Sequence, residues 1–195
     1  MRFDLASLAG CLILVSMSFA FTLGFLAHIR RRELAFLQTP FSAYLSGSTR
    51  ALGLWAYAFL CAGIAVFVAE SFSFQDAPSF KIAGALFVLS IVSIAIAAGT
   101  ANPDQPQPID NPRVRRWHRA AALGAFASAL AGAIVQSWTL HPRLGSEPLI
   151  ALASLLSILF FALYAVPARI HGGVQKLLMI GFLLWFSLAS ELMQP

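Results

Sequence analysis

Six apolar runs, each roughly 20 residues long, dominate this sequence. They cover Leu5–Ala27, Ala51–Ala69, Ile82–Thr100, Ala120–Leu140, Leu149–Val166 and Val174–Leu192. A helix needs roughly 20 mostly apolar residues to cross the hydrocarbon core of a bilayer, and these runs lack the alternation of membrane β-barrels. The sequence therefore predicts an all-α fold, a polytopic integral membrane protein whose bundle of six transmembrane helices forms one domain over residues 1–195.

The overall composition excludes an ordinary soluble domain. Hydrophobic residues make up 59% of the chain and charged residues 11%, whereas soluble domains average roughly 45–50% and 25%. The net charge of +5 alone would be compatible with nucleic-acid binding. However, the basic residues lie in short clusters between the apolar runs, which is typical of topology determinants and of contacts with anionic lipids. No nucleic-acid partner is predicted.

Basic residues are distributed unequally between the two sides of the predicted bundle. Connections one, three and five, with their flanks, hold ten of them and the opposite side holds three. The ten are Arg30, Arg31, Arg32, Arg50, Arg113, Arg115, Arg116, Arg119, Arg169 and Lys176, and the three are Arg2, Lys81 and Arg143. Because cytoplasmic loops are enriched in lysine and arginine, we predict a cell (inner) membrane protein with both termini outside the cytoplasm.

The connections differ in length and composition. The third, Ala101–Arg119, contains four prolines and is predicted not to be regular helix, because each proline removes a backbone donor. The fifth, Pro167–Gly173, is predicted to be a tight turn region. The first, between Arg30 and Arg50, contains Pro40 and Gly47 and is compatible with a short interfacial segment.

Motifs for catalysis, metals or cofactors are absent from the sequence. None of its serines lies in a Gly-x-Ser-x-Gly turn, and no His-Glu-x-x-His or Cys-x-x-Cys spacing occurs. Asp4, Glu70 and Glu191 lie at the ends of spans, which argues against a proton pump or an ion-coupled antiporter. We predict no metal and no cofactor.

The fourth run carries a stripe of small residues. Gly124, Ser128 and Gly132 recur every four positions and share one helix face. Such a stripe lets another helix approach closely. Packing inside the bundle is the favoured interpretation, and a protein partner or a second copy bound through this face is the alternative.

Two connections carry short motifs that resemble a known family. The first motif is Ser42-Ala43-Tyr44 followed by Gly47, and the second is Asn102-Pro103-Asp104 followed by Trp117-His118-Arg119-Ala120-Ala121. Together with six spans in this length, the chain resembles the bacterial and archaeal membrane-protein family listed as domain of unknown function 998. The resemblance implies a fold and no activity. It directs attention to Ser42, Tyr44, Asp104 and His118.

These residues define a candidate patch at the cytoplasmic face. We predict that Ser42, Tyr44, Asp104 and His118 converge there with Arg119 beside them. Arg115 and Arg116 are the predicted headgroup-binding residues, because the planar guanidinium group binds phosphate with two donors at once. No catalytic residue is assigned. The structural alternative is that these residues form turns and anchor the chain at the interface.

Three functions are compatible with this pattern. The favoured one is a non-catalytic membrane subunit that contacts lipids, including anionic ones, or binds a protein partner. A small-solute or lipid transporter is the second, and its cavity would be lined by serine hydroxyls and Gln136. The third is a membrane-embedded enzyme acting on a lipid headgroup through Asp104 and His118. A dry bundle would favour the first function, a hydrated cavity the second and an interfacial pocket the third.

Overall fold

The computed structural model describes residues 5–31, 34–35, 37–74, 77–101, 111–142 and 145–193. Within these ranges the chain forms six long helices and two short 3-10 helices. The helices are α1 (Leu5–Arg30), α2 (Arg50–Phe74), α3 (Pro78–Gly99), α4 (Pro112–Leu140), α5 (Glu147–Ala165) and α6 (Ala168–Leu192), and the 3-10 helices are Phe41–Leu45 and Gly47–Thr49. All six long helices are long and apolar enough to span a membrane. The prediction of an all-α, multi-pass membrane bundle is confirmed.

Two helices begin six or more residues earlier than predicted. Helix α4 begins at Pro112, because Asn111 caps it by accepting hydrogen bonds from the backbone nitrogens of Arg113 at 2.9 Å and Val114 at 3.4 Å. Proline is favoured in the first helical turn, where its missing N–H has no partner to lose. The prediction of an irregular segment is therefore wrong for residues 112–119. Helix α6 likewise begins at Ala168, directly after Pro167, so the fifth connection is shorter than predicted.

The helices pack in chain order, and α6 closes the ring against α1. Helix α6 also contacts α2 and α4, which makes it the most buried of the six. We call the end that holds residues 37–49 and 166–167 the basic end, and the end that holds residues 141–142 and 145–146 the opposite end. A cluster of aromatic rings from α2, α3 and α6 fills the middle of the bundle, comprising Phe67, Phe87, Trp185 and Phe186.

The small-residue face of α4 packs on α3. A Cβ added to Gly132 would lie 2.8 Å from a ring carbon of Phe87, and one added to Gly124 would lie 3.1 Å from Ser93 Oγ. Ser90 Oγ donates a hydrogen bond of 2.9 Å across the same contact to the carbonyl of Ala125. Packing of this face inside the bundle is thus observed. A partner or second copy bound through the face stays a prediction.

Part of the first connection folds into the basic end of the bundle. We call residues 37–49 the inner loop; they contain both 3-10 helices, and Phe41, Tyr44, Leu45 and Thr49 are buried within it. Its backbone is bonded to α6, because Gly173 N donates to Leu37 O at 2.8 Å and Lys176 Nζ donates to Thr39 O at 2.8 Å. The inner loop is therefore a packed element of the fold.

Candidate functional site

A cavity lies inside the basic half of the bundle. Its volume is about 80 Å³, and the free space within it and at its open mouth is about 730 Å³. A single water molecule needs roughly 10–15 Å³ of cavity volume. A cavity of about 80 Å³ can therefore hold a larger group. Its walls come mainly from apolar residues, of which the largest are Met17, Phe126, Met179, Phe182 and Phe186.

Two of the sequence-predicted residues, Ser42 and His118, line this same cavity. Ser42 belongs to the inner loop and His118 to the second turn of α4, so 76 positions of sequence (118 minus 42) separate them. His118 is fixed by its Nδ1–H, which donates to the carbonyl of Ala97 at 3.0 Å and lies 3.3 Å from Thr100 Oγ1. With the proton on Nδ1, the neutral ring keeps an acceptor lone pair on Nε2.

Two further polar residues of the lining, Tyr57 and Gln175, stand beside Ser42. Gln175 Oε1 accepts a 2.9 Å hydrogen bond from the backbone nitrogen of Phe41, and the Phe41 ring lies 5.6 Å from the ring of Tyr57. Four polar groups of the lining make no hydrogen bond within the described part of the chain: the hydroxyls of Ser42 and Tyr57, the Gln175 amide nitrogen and His118 Nε2. None of these four atoms is completely buried. They can therefore bind a ligand.

The cavity is polar at one end and apolar at the other. Tyr57, His118 and Gln175 lie about two helical turns, or roughly 10 Å, from the basic end of their helices. The lining residues Ile64 and Phe186 lie roughly 20 Å or more from that end. This gradient matches the shape of an amphiphile, with a polar head near the membrane surface and an apolar chain pointing into the bundle.

Tyr44 is fully buried and lies against α1. Its hydroxyl is 2.8 Å from His28 Nδ1, and Lys176 Nζ stands 5.9 Å from the centre of its ring. Burial raises the pKa of the Tyr44 phenol, and the charge of Arg31 offsets part of that rise. Tyr44 therefore stays neutral, and its hydroxyl shares a hydrogen bond with His28 Nδ1. Through these contacts Tyr44 holds the inner loop against α1 and α6.

The remaining residues of the candidate patch either do not line the cavity or lie outside the described residues. Arg116 and Arg119 are exposed on the first two turns of α4, and Arg115 is half-buried. None of these three arginines forms an ion pair or hydrogen bond with the parts of the chain that the structure describes. Asp104 lies outside the described residues, so its convergence with His118 stays a prediction.

Gln175 and Lys176 are the site residues that sequence reasoning missed. Lys176 was counted only as a flanking charge, yet it is buried with 9% of its surface exposed and is bonded to the inner loop. Both residues fall inside the predicted sixth span, where an amide followed by a lysine is unusual and marks a polar contact inside the bundle. The Gln175–Lys176 pair was therefore the feature of the sequence that could have indicated this polar contact.

Within the described ranges, no group of three His, Cys, Asp or Glu side chains comes together as a metal site would require.

Comparisons with known proteins supply no further guide. No family model matches the chain, and neither the curated proteins nor the solved structures contain a match. The resemblance to domain of unknown function 998 therefore stays a prediction, and the function must be argued from the cavity itself.

Proposed function

We propose that this protein is a non-catalytic, lipid-binding subunit of the cell (inner) membrane that holds a membrane amphiphile in its cavity. The apolar chain of the ligand occupies the part of the cavity lined by Met17, Ile64 and Phe186, and its headgroup lies at the basic end. The observation that carries this proposal is the gradient of the lining, from four available polar groups near the surface to apolar side chains in the middle of the bundle.

The chemistry of the polar end supports a headgroup that both donates and accepts hydrogen bonds. Ser42 and Tyr57 supply hydroxyls, Gln175 supplies amide hydrogens and His118 supplies an acceptor nitrogen. Arg115, Arg116 and Arg119 surround the start of α4, where basic groups each contribute on the order of 1 kcal/mol toward an anionic lipid surface. An anionic phospholipid meets both requirements.

The aromatic cluster around Trp185 fills the bundle beyond the cavity. This filling favours a binding site over a passage for solutes, so the transporter is the weaker alternative. The enzyme alternative depends on Asp104 beside His118, and Asp104 lies outside the described residues.

Blocking the cavity is expected to remove the bound amphiphile. In the Ala122→Phe variant, a ring replaces a methyl group on the cavity wall. We expect the affinity for lysophosphatidylglycerol, an anionic single-chain lipid, to fall at least about tenfold, a loss of about 1.4 kcal/mol. Native mass spectrometry of the detergent-purified protein with increasing amounts of this lipid measures the change.

The matched control is Ala120→Phe, which places the same ring two positions away on an exposed part of α4. This variant should bind the lipid as the unchanged protein does. Equal binding by all three proteins would contradict the proposal. If both variants lose binding together, the arginines at the surface of α4 are the determinant and the cavity is not.

The basic end is proposed to face the cytoplasm. Single cysteines introduced as Arg116→Cys and Glu147→Cys replace exposed residues at the two ends of the bundle, in a background where Cys11 and Cys61 are serine. An impermeant maleimide added to intact cells should label position 147 and leave position 116 unlabelled, and cell lysis should make both reactive. Labelling of position 116 in intact cells would reverse the proposed orientation.

A further inference from the structure

The opposite end of the bundle contains a second polar cluster, beyond the apolar end of the cavity. The last two turns of α2, α4 and α6 bring together Glu70, Ser71, Gln136, Ser190 and Met193. Ser190 Oγ donates to Glu70 Oε2 at 2.8 Å, and the Gln136 amide nitrogen lies 3.4 Å from Ser71 Oγ and 3.1 Å from Met193 Sδ. Three helices thus meet through side chains that accept hydrogen bonds.

Two oxygens of this cluster have no hydrogen-bond partner. They are Glu70 Oε1 and Gln136 Oε1, which are both buried, and Gln136 as a whole is 0% exposed. The orientation of the Gln136 amide follows from its neighbours, because Ser71 Oγ already donates its hydrogen to the carbonyl of Phe67 at 2.9 Å and Met193 Sδ can only accept. Its oxygen is therefore left on the side without one. A buried polar atom without a partner is costly, so these two oxygens are candidate contacts for a bound ligand.

A positively charged ligand would suit both oxygens. A cation would offset the charge of the Glu70 carboxylate as well as contact its oxygen, and the other titratable groups that the structure describes at this end, Lys81, His141, Glu147 and Glu191, are all exposed. A water molecule would satisfy the oxygens without supplying charge. The cluster offers one carboxylate, one amide oxygen and two serine hydroxyls, whereas calcium sites use several carboxylates among six to eight oxygens.

We propose that Glu70 and Gln136 bind a monovalent metal cation of the size of sodium, between α2, α4 and α6. The cation contacts Glu70 Oε1 and Gln136 Oε1, and the serine hydroxyls hold the carboxylate and the amide in place. By joining three helices at the end remote from the inner loop, the ion stabilises the folded bundle. This site is independent of amphiphile binding.

The test is the melting temperature of the purified protein in NaCl, KCl or LiCl, compared with choline chloride at the same ionic strength. At a tenfold excess over the dissociation constant, sodium should raise the melting temperature of the unchanged protein by about 3–6 °C. Glu70→Gln should lose this sodium-dependent rise. Glu191→Gln, which removes the same charge from an exposed position on α6, should keep it.

Gln136→Leu provides a second variant that keeps the carboxylate, and it should also lose the rise. The proposal is overturned if the unchanged protein melts at one temperature in all four salts, or if Glu70→Gln keeps the full sodium effect. It is equally overturned if acidification stabilises the unchanged protein while sodium has no effect, because a proton on Glu70 is then the missing ligand. A cavity variant such as Ala122→Phe should leave the sodium effect intact.

Discussion

Replacing Trp185 by alanine is expected to destabilise the folded bundle by about 3–5 kcal/mol. The indole is fully buried and packs against the rings of Phe67, Phe87 and Phe186 at centroid distances of 5.6, 5.8 and 5.3 Å. Because lipid offers no hydrophobic driving force between helices, these packing contacts are a main source of stability. Thermal unfolding in a mild detergent, followed by circular dichroism, measures the loss.

Trp138 is the control for this experiment. It lies on α4 with 66% of its surface exposed, next to Ser137, which accepts the indole hydrogen bond of Trp185 at 3.0 Å. Trp138→Ala should cost less than about 1 kcal/mol, as substitutions outside packed regions usually do. A similar loss in both variants would mean that the detergent-bound surface, and not the aromatic cluster, determines stability.

Replacing Gly172 by alanine is expected to cost about 2–3 kcal/mol, although only one methyl group is added. A Cβ at this position would lie 2.6 Å from the carbonyl carbon and 2.8 Å from the nitrogen of Thr39, and it would overlap the carbonyl oxygen. Since these are backbone atoms, they cannot rotate away. The inner loop would have to move off α6, and the hydrogen bond from Lys176 to Thr39 would break.

The same change at Gly99 is the comparison. Gly99 lies at the end of α3, and a Cβ there meets no atom within 4 Å. Gly99→Ala should therefore be neutral or stabilise the protein by up to about 1 kcal/mol, since alanine has the higher helix propensity. Unfolding curves of both variants in the same detergent decide the matter. If Gly172→Ala unfolds no earlier than Gly99→Ala, the inner loop contributes little to the fold.

The six helices could be predicted because their signal is local. A run of roughly 20 apolar residues has few alternatives in a membrane, where every backbone group must be bonded internally. The starts of helices were less predictable. Taken alone, Pro112 indicates the end of a helix, because proline has no backbone N–H to donate. Once Asn111 is recognised as the cap, Pro112 falls in the first turn of α4, where the backbone N–H groups have no partner inside the helix and the missing one costs nothing.

The candidate site was only partly predictable because it depends on contacts between distant segments. Ser42 and His118 were singled out by their motifs, and the structure places both on one cavity. Nothing local in the sequence shows that Gln175 reaches the inner loop, since that contact requires the loop to fold back between the helices. The unpaired oxygens of Glu70 and Gln136 were hidden for the same reason, although Glu70 was noticed at a span end and Gln136 as an amide that could line a cavity.

The inner loop also has a consequence for the order in which the protein is made. It precedes α2 in the chain, yet its bonds from Gly173 and Lys176 come from α6, the last of the six helices to be synthesised. The ribosome therefore delivers the loop long before its partners. Until α6 has entered the membrane, the carbonyls of Leu37 and Thr39 must accept hydrogen bonds from other donors, such as water at the membrane surface. The polar end of the cavity can thus assemble only after α6 has been inserted.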